Sequence, residues 1–323
     1  AEKGRILATE IGEIVAAKET IIKKSGILEY FHPETSLNSI GGLENLKDWL
    51  RNRGKAFSQD AKKYGLPAPK GVLLLGIPGC GKSLTAKTIA NEWGFPLLKF
   101  DLGRVFAGVV GESESNIRKA LSLAETISPS ILWIDEIEKG LSGLGSNGDS
   151  GTSSRVFGTL LTWMQEKKSE VFVIATANDI EKLPAELLRK GRFDEIFFVD
   201  LPTESEREAI FQIHIEKKGR QCSDFKLKDL ASKTIGFSGA EIEETVNEAL
   251  FIAYSEKREP QQKDIEQAIE GTWPLSRTMQ ESITKLRQWA KARAKLASEP
   301  NTEKIEADTK VPKLIQERRN IFA

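Results

Sequence analysis

Apolar positions along this chain change their spacing several times, and each change predicts a different kind of structure. Between residues 5 and 30, Ile6, Leu7, Ile11, Ile14, Val15, Ile21, Ile22, Ile27 and Leu28 recur among Lys and Glu at the spacing of an amphipathic helix. A polar loop, F-H-P-E-T-S-L-N-S, separates that stripe from a second helical stretch, I-G-G-L-E-N-L-K-D-W-L. From Gly71 onward, short apolar runs alternate with helical stretches. The runs Val72–Leu75, Leu97–Asp101, Ile131–Asp135, Val171–Thr176 and Ile196–Asp200 are strand-sized, and their near-continuous apolar character marks strands covered on both faces. Five such runs separated by helices predict a doubly wound parallel five-stranded α/β sheet. From Thr203 to about Gly271 only helical periodicity remains, which predicts a small all-helical unit. A basic amphipathic helix follows, roughly Thr278 to Ala297, with Leu286, Trp289 and Ala290 as the face that packs on that unit. The expected divisions are 1–35 for a helix and linker, 36–202 for the α/β core and 203–271 for the helical unit. Residues 272–298 form the basic helix, and 299–323, rich in Pro, Glu, Lys and Thr, a loose tail.

Composition narrows the setting. The 323 residues are 39% hydrophobic, enough for one large or two modest cores. Lys plus Arg and Asp plus Glu stand at 47 each, so global charge selects no partner. No apolar run reaches the length of a membrane span. Two cysteines, Cys80 and Cys222, give no disulfide framework, and no secretory signal opens the chain, so a reducing cytosol or its equivalent fits. The chain starts at Ala1 in the middle of a helical pattern without a Met, which predicts a further domain upstream.

The chemistry begins at G-I-P-G-C-G-K-S, Gly76 to Ser83, which satisfies G-x-x-x-x-G-K-[ST] straight after one strand and straight before a helix. Glycines let backbone N–H groups converge on phosphate oxygens, and the helix N-terminus adds favourable partial charge. Lys82 is placed to reach the β- and γ-phosphates of ATP, and Ser83 to offer a hydroxyl to Mg²⁺. Some fifty residues on, I-L-W-I-D-E sets Asp135 and Glu136 at the end of a buried strand. Asp135 suits Mg²⁺ held through water, and Glu136 suits polarisation of an attacking water. No G-x-G-x-x-G follows the first strand, which argues against a Rossmann dinucleotide site. Cys80 sits within the phosphate loop, either as a small filler or as a thiol whose anion the helix N-terminus favours. In the second case its alkylation blocks nucleotide binding.

Two further motifs give the chain a family resemblance. V-I-A-T-A-N ends the fourth strand at Asn178, and L-P-A-E-L-L-R-K-G-R-F-D carries Arg189 and Arg192. With these the chain resembles the AAA-type ATPases of the AAA+ superfamily over roughly Leu37 to Gly271. Arginines at an exposed edge, taken alone, read as surface ion pairs. The resemblance instead makes Arg189 and Arg192 arginine fingers offered to the γ-phosphate of a neighbouring subunit, with Asn178 positioning the lytic water. It likewise implies an adenine-side segment at Ile40, Gly41 and Gly42, and phosphate-loop contacts from Pro78, Gly79, Cys80, Gly81, Lys82, Ser83 and Leu84. His214 matches a lid histidine near adenine and ribose, while Gly239 and Ala240 in G-F-S-G-A-E match the lid motif of the AAA clade. Ser238 suits the N-cap of that lid helix. G-I-L-E-Y-F, the wording of the phosphate loop and W-P-L-S-R-T-M-Q are similar to AAA ATPases encoded by cyanobacterial and red-algal plastid genomes, which implies a cytoplasmic or plastid-stromal setting.

The resemblance also implies a homo-oligomer, a six-membered ring, acting on a protein partner. Its pore loop falls at Val109, Val110 and Gly111, where the usual aromatic is absent; valine offers less area and no flat face to an extended chain. The Gly/Ser-rich stretch Ser142 to Ser154 falls where a second pore loop would lie. Protein remodelling and a nucleotide-timed assembly switch therefore both stand as readings. Residues 271–323 hold eleven Lys or Arg against six acidic residues, which admits a nucleic-acid partner, although a solvated helix packed on the lid accounts for the same pattern. The two histidines, His32 and His214, are far apart, so no H-E-x-x-H protease motif is present, and no N-K-x-D motif marks a GTPase.

Overall fold

Leu73, Leu74 and Leu75 are fully buried, as are Ile131, Leu132 and Ile134 and the run from Val171 to Ala175, so the apolar stretches become strands closed to water on both faces. In the computed structural model the described residues are 18–23, 26–32, 35–106, 112–141, 152–189, 191–301 and 303. In chain order the strands and helices begin with β1 (Leu28–Phe31), α1 (Glu44–Gly54), α2 (Gln59–Tyr64), β2 (Gly71–Gly76) and α3 (Lys82–Trp93). Next come β3 (Leu97–Phe100), α4 (Leu102–Phe106), α5 (Glu112–Thr126), β4 (Ser130–Ile134), α6 (Thr152–Glu166), β5 (Val171–Ala177) and β6 (Glu195–Val199). The rest is helical, with α7 (Glu204–Lys217), α8 (Leu227–Lys233), α9 (Gly239–Ser255), α10 (Gln262–Gly271), α11 (Leu275–Thr278) and α12 (Gln280–Arg293), until β7 (Lys295–Leu296).

All five expected strands are present, but the sheet has seven, ordered β1-β3-β4-β5-β2-β6-β7. Strand β4 runs parallel to both its neighbours, β3 and β5, with Ile131 opposite Phe172 and Ile134 opposite Ala175. At one edge β1 pairs antiparallel with β3, and at the other β7 pairs parallel with β6. Strand β1 corrects the helical stripe expected up to residue 30. Residues 18–23 are helical, but Gly26 takes φ +66, a conformation open to a residue without Cβ, and L-E-Y-F then extends. Its Phe31 packs edge-on against Trp133 at 5.6 Å between ring centres.

The chain divides into two compact units. The first comprises residues 1–35, 50–74 and 86–196. In it β4 and β5 lie in register, and α5 and α6 pack on each other and bury Ile117, Leu121, Val156 and Leu160. The second comprises residues 36–49, 75–85 and 197–323 and contains the expected helical region from α7 to α10. Its core includes Phe211, Leu230, Phe237, Ile242, Val246 and Ile265. Thr203 and Glu206 form a capping box at the start of α7, and Ser238 and Glu241 form another at α9, as the N-cap reading of Ser238 required.

Helix α12 turns Ile283, Leu286 and Ala290 inward, while Trp289 stays half-buried. Its Arg287 clamps Asp200, just past β6, at 2.9–3.1 Å, and the chain then enters β7 instead of ending on a lid helix. The expected loose tail is pinned at its start. Asn301 donates to the carbonyls of Leu201 and Pro202, and Glu303 takes a two-pronged bond from Arg207, a fully buried guanidinium, at 2.6 and 3.0 Å. A buried Arg needs such a partner, and no local sequence pattern announces which carboxylate supplies it. Residues 1–17 of the helical stripe, the pore-loop residues Val109, Val110 and Gly111, most of Ser142–Ser154 and the tail from 304 lie outside the described residues.

Candidate nucleotide site

In the second unit glycine-bearing segments pack closely around the phosphate loop. The loop leaves β2 at Gly76 and closes into α3 at Lys82. Gly79 and Gly81 take φ +77 and +89, conformations that turn successive N–H groups toward one side. Lys82 is buried, and its ammonium donates to the carbonyls of Gly76 at 2.9 Å and Ile77 at 2.7 Å, which pins the loop around it. Thr85 closes the first turn of α3 with its hydroxyl on the Gly81 carbonyl.

Three further segments border the loop, each through a residue picked out in the sequence. Ala240 N–H donates to the Gly79 carbonyl at 3.0 Å, and a Cβ at Gly79 would sit 2.9 Å from the Ser238 hydroxyl, so the lid motif rests directly on the loop. Gly239 would bring a Cβ to 3.3 Å from the same carbonyl. On the other side lies Ile40–Gly41–Gly42: a Cβ at Gly81 would touch Ile40 and Leu43, and one at Gly41 would stand 2.6 Å from Ile210 of α7. His214 lies one turn beyond Ile210 and hence on the same face of α7. Its Nδ1 stands 3.6 Å from Glu243, too far for a hydrogen bond, and burial lowers its pKa below the ordinary value. The structure thus brings Ile40, Gly41, Gly42, Gly79, Gly81, Gly239 and Ala240 together, with Pro78 and Leu84 half-buried in the loop and at the start of its helix.

Of the two readings of Cys80, the small filler fits its surroundings. The side chain is buried, and desolvation pushes the thiol up to about 12 despite the opposing pull of Lys82. It fills space beside the Pro78 carbonyl, 3.8 Å from its Sγ. Burial thus works against the thiolate that the helix N-terminus would favour.

The first unit assembles a carboxylate cluster at the C-terminal ends of β4 and β5. Parallel register places Asp135 and Glu136 beside Thr176 and Asn178. Thr176 is the organiser: its hydroxyl donates to Asp135 at 2.6 Å and accepts the Glu136 N–H at 2.9 Å. Glu136 has φ +48, a left-handed conformation rare for a residue with a side chain, and such backbone concentrates at functional positions. Its carboxylate accepts from the Asn178 amide at 3.1 Å and pairs with Lys139 at 2.5 Å, while Glu138 receives the Asn178 N–H. Asn178 therefore holds Glu136 in place, a role the sequence left implicit. The contribution of Thr176 was missed, because one hydroxyl in an apolar strand carries no spacing signature.

The arginine pair lies on a loop of the same unit. Lys70 donates from its ammonium to the carbonyls of Gln165 at 2.7 Å and Gly191 at 2.8 Å, and Asp194 accepts the N–H groups of Lys70 and Gly71. Phe193 is buried between these anchors. Arg189 is exposed; Arg192 is half-buried, with its Nε enclosed and without a hydrogen-bond partner among the described residues. Neither guanidinium forms an ion pair with a described residue, so the surface-ion-pair alternative gains no support. In the basic C-terminal segment Arg287 is taken by Asp200, and Arg277 and Arg293 lie over Trp273 and Trp289, which removes three of its cations from a free basic face.

The donor set suits a nucleotide with a hard divalent cation. Among the described residues no group of three or more His, Cys, Asp or Glu could hold a metal unaided. Mg²⁺ characteristically takes one or two protein oxygens and completes its shell with phosphate and water, a habit that a Ser hydroxyl and an Asp carboxylate fit. Among the described residues no helix is long and apolar enough to cross a membrane.

Comparison with known proteins bears on the same segments. Residues 72–201 match the model of the ATPase family associated with various cellular activities (AAA), and residues 224–267 match that of the AAA+ lid domain. An uncharacterised AAA domain-containing protein, ycf46, of Guillardia theta is 53% identical over 283 residues, covering 87% of this chain and 56% of that protein. Its namesake in Pyropia yezoensis is 50% identical over 292 residues, covering 90% and 59%. The ATP-dependent zinc metalloprotease FtsH of an aster yellows witches'-broom phytoplasma is 39% identical over 217 residues, 65% of this chain and 31% of that enzyme. This chain thus spans little more than half the length of the first two relatives. Phosphate loop, strand-end carboxylates and helical lid follow one another in the order these family models require, and the chain belongs to the AAA family of ATPases.

Proposed function

We propose that this protein hydrolyses ATP, with Mg²⁺, in a ring of identical subunits that remodels a protein partner in the cytoplasm or plastid stroma. The observation that carries the nucleotide reading is the phosphate loop of the second unit, with Lys82 buried in it and both the lid motif and the Ile40–Gly42 turn bordering it. The loop N–H groups and Lys82 grip the β- and γ-phosphates, and the N-terminus of α3 adds its partial positive charge. Ser83 and Asp135 would hold Mg²⁺, which would neutralise phosphate charge. Glu136 polarises the attacking water and takes its proton, with the carboxylate aimed by Asn178. Arg189 and Arg192 from a neighbouring subunit meet the charge that builds on the transferred phosphoryl group. Six subunits per ring is the arrangement the family resemblance implies.

Glu136→Gln tests the hydrolytic reading. The variant is expected to bind ATP as tightly as wild type in a titration yet turn it over roughly a hundredfold more slowly. Turnover near the wild-type rate would remove Glu136 from the chemistry. A second reading, an assembly switch in which hydrolysis only times ring formation, is favoured by the aliphatic Val109-Val110-Gly111 pore segment. Val109→Asp separates the two: a switch keeps nearly full activity on its partner, while a threading machine loses it.

A further inference from the structure

The segment that follows the lid lies beyond residue 267, where the lid match ends, and its described part runs back along the glycine turn. Ala297 N–H donates to the Phe198 carbonyl at 2.9 Å, and Leu46 N–H donates to the Ala297 carbonyl at 3.1 Å, so the chain at Ala297 bridges β6 and the first turn of α1. Ser298 then places its hydroxyl 2.5 Å from Glu206 Oε1 and 3.3 Å from Leu43 N–H. The same Glu206 oxygen accepts Leu43 N–H at 3.0 Å. Leu43, the position held this way, is left-handed at φ +61 although it carries a side chain, and Gly42 before it is left-handed at φ +80. A Cβ at Gly42 would stand 2.1 Å from Glu206 Oε1, so glycine and carboxylate fit only each other. Beyond Ser298, Asn301 and Glu303 are tied to Pro202 and Arg207, next to Glu206 in the chain.

Backbone strain of this kind persists only where surrounding contacts over-determine it. Here those contacts come from Glu206, already committed to capping α7, and from Ser298. We infer that Ser298 is a positioning residue for the nucleotide base: through Glu206 it fixes the Ile40–Gly42 turn in its base-accepting shape, so that the segment after the lid sets affinity for the adenosine part of ATP and not for its phosphates. This rests on the nucleotide reading above and adds a determinant outside both matched regions.

The test compares binding of ATP and of inorganic tripolyphosphate, which engages the phosphate loop but has no base. For Ser298→Ala, ATP affinity is expected to fall roughly ten- to hundredfold, as for one lost hydrogen bond to a charged group. Tripolyphosphate affinity and kcat at saturating ATP should hold, and Ser298→Thr, which keeps the hydroxyl, should restore the wild-type ratio. Equal loss for both ligands, the mark of a merely structural lesion, or no loss for either would overturn the inference. Wild-type protein binding ATP no better than tripolyphosphate would instead sink the base-side reading itself. Hydrogen exchange on the unmodified protein gives a check independent of any variant's folding. ATP should slow exchange in peptides 40–46 and 296–301 together, tripolyphosphate in neither, and protection of the first peptide alone would count against the link.

Discussion

At the scale of single residues, the two carboxylates at the end of β4 depend on a hydroxyl. Thr176 touches both Asp135 and the backbone of Glu136, so one side chain fixes the proposed metal ligand and the left-handed turn that aims the proposed base. Thr176→Val keeps the shape and removes both bonds. Because each involves a charged or strained group, kcat is expected to drop roughly ten- to hundredfold while KM for ATP changes little. Steady-state kinetics decide it, and an unchanged kcat would show that Asp135 and Glu136 orient themselves. The expectations for Gly76–Ser83, Asp135 and Glu136 came from local spacing beside a strand, and the one for Asn178 from the family resemblance. Thr176 was not legible, since its partners lie some forty residues away and only strand register brings them together. Cys80 shows the reverse case: position favours a thiolate, burial works against it, and burial cannot be read from eight residues of loop.

Among the elements, the central strands were legible nearly to the residue, since a run buried on both faces has no polar positions to blur its limits. The edge strands were not. β1 has four residues and β7 two, and each exists because a neighbouring strand offers it an edge; neither carries a pattern long enough to separate from a helix. The same limit applied to the tail: its composition predicts looseness, yet Arg207 recruits Glu303 from 96 residues away. One helix start fared better: Ser238 was readable as an N-cap and opens α9 with Glu241, whereas the same Thr/Glu pattern at Thr203 and Glu206, which opens α7, was not singled out. The arginine loop stands between these cases, its two cations legible from the motif but its anchorage to Lys70 hidden until the start of β2 and the end of α6 are seen side by side.

For the whole molecule, the decisive question is whether one copy suffices. Arg189 and Arg192 have no carboxylate partner among the described residues, and on the proposed reading they meet another subunit's phosphate. Arg189→Ala and Lys82→Ala should each be nearly inactive alone, the first still binding ATP. Mixed, they should regain part of the wild-type ATPase rate, because an intact phosphate loop then meets intact arginines across some interfaces. A mixture as dead as its components at every ratio would refute shared sites. Net charge of zero adds no long-range repulsion between copies.

The pinning of Ala297 to Phe198, and of Asn301 to Leu201 and Pro202, has a topological outcome. Chain entering the helical region and chain leaving it are fastened to each other at one place, so the stretch from α7 to α12 is closed into a loop at its base. Tension applied to the chain beyond residue 303 is taken up at that fastening before it reaches any helix of the lid.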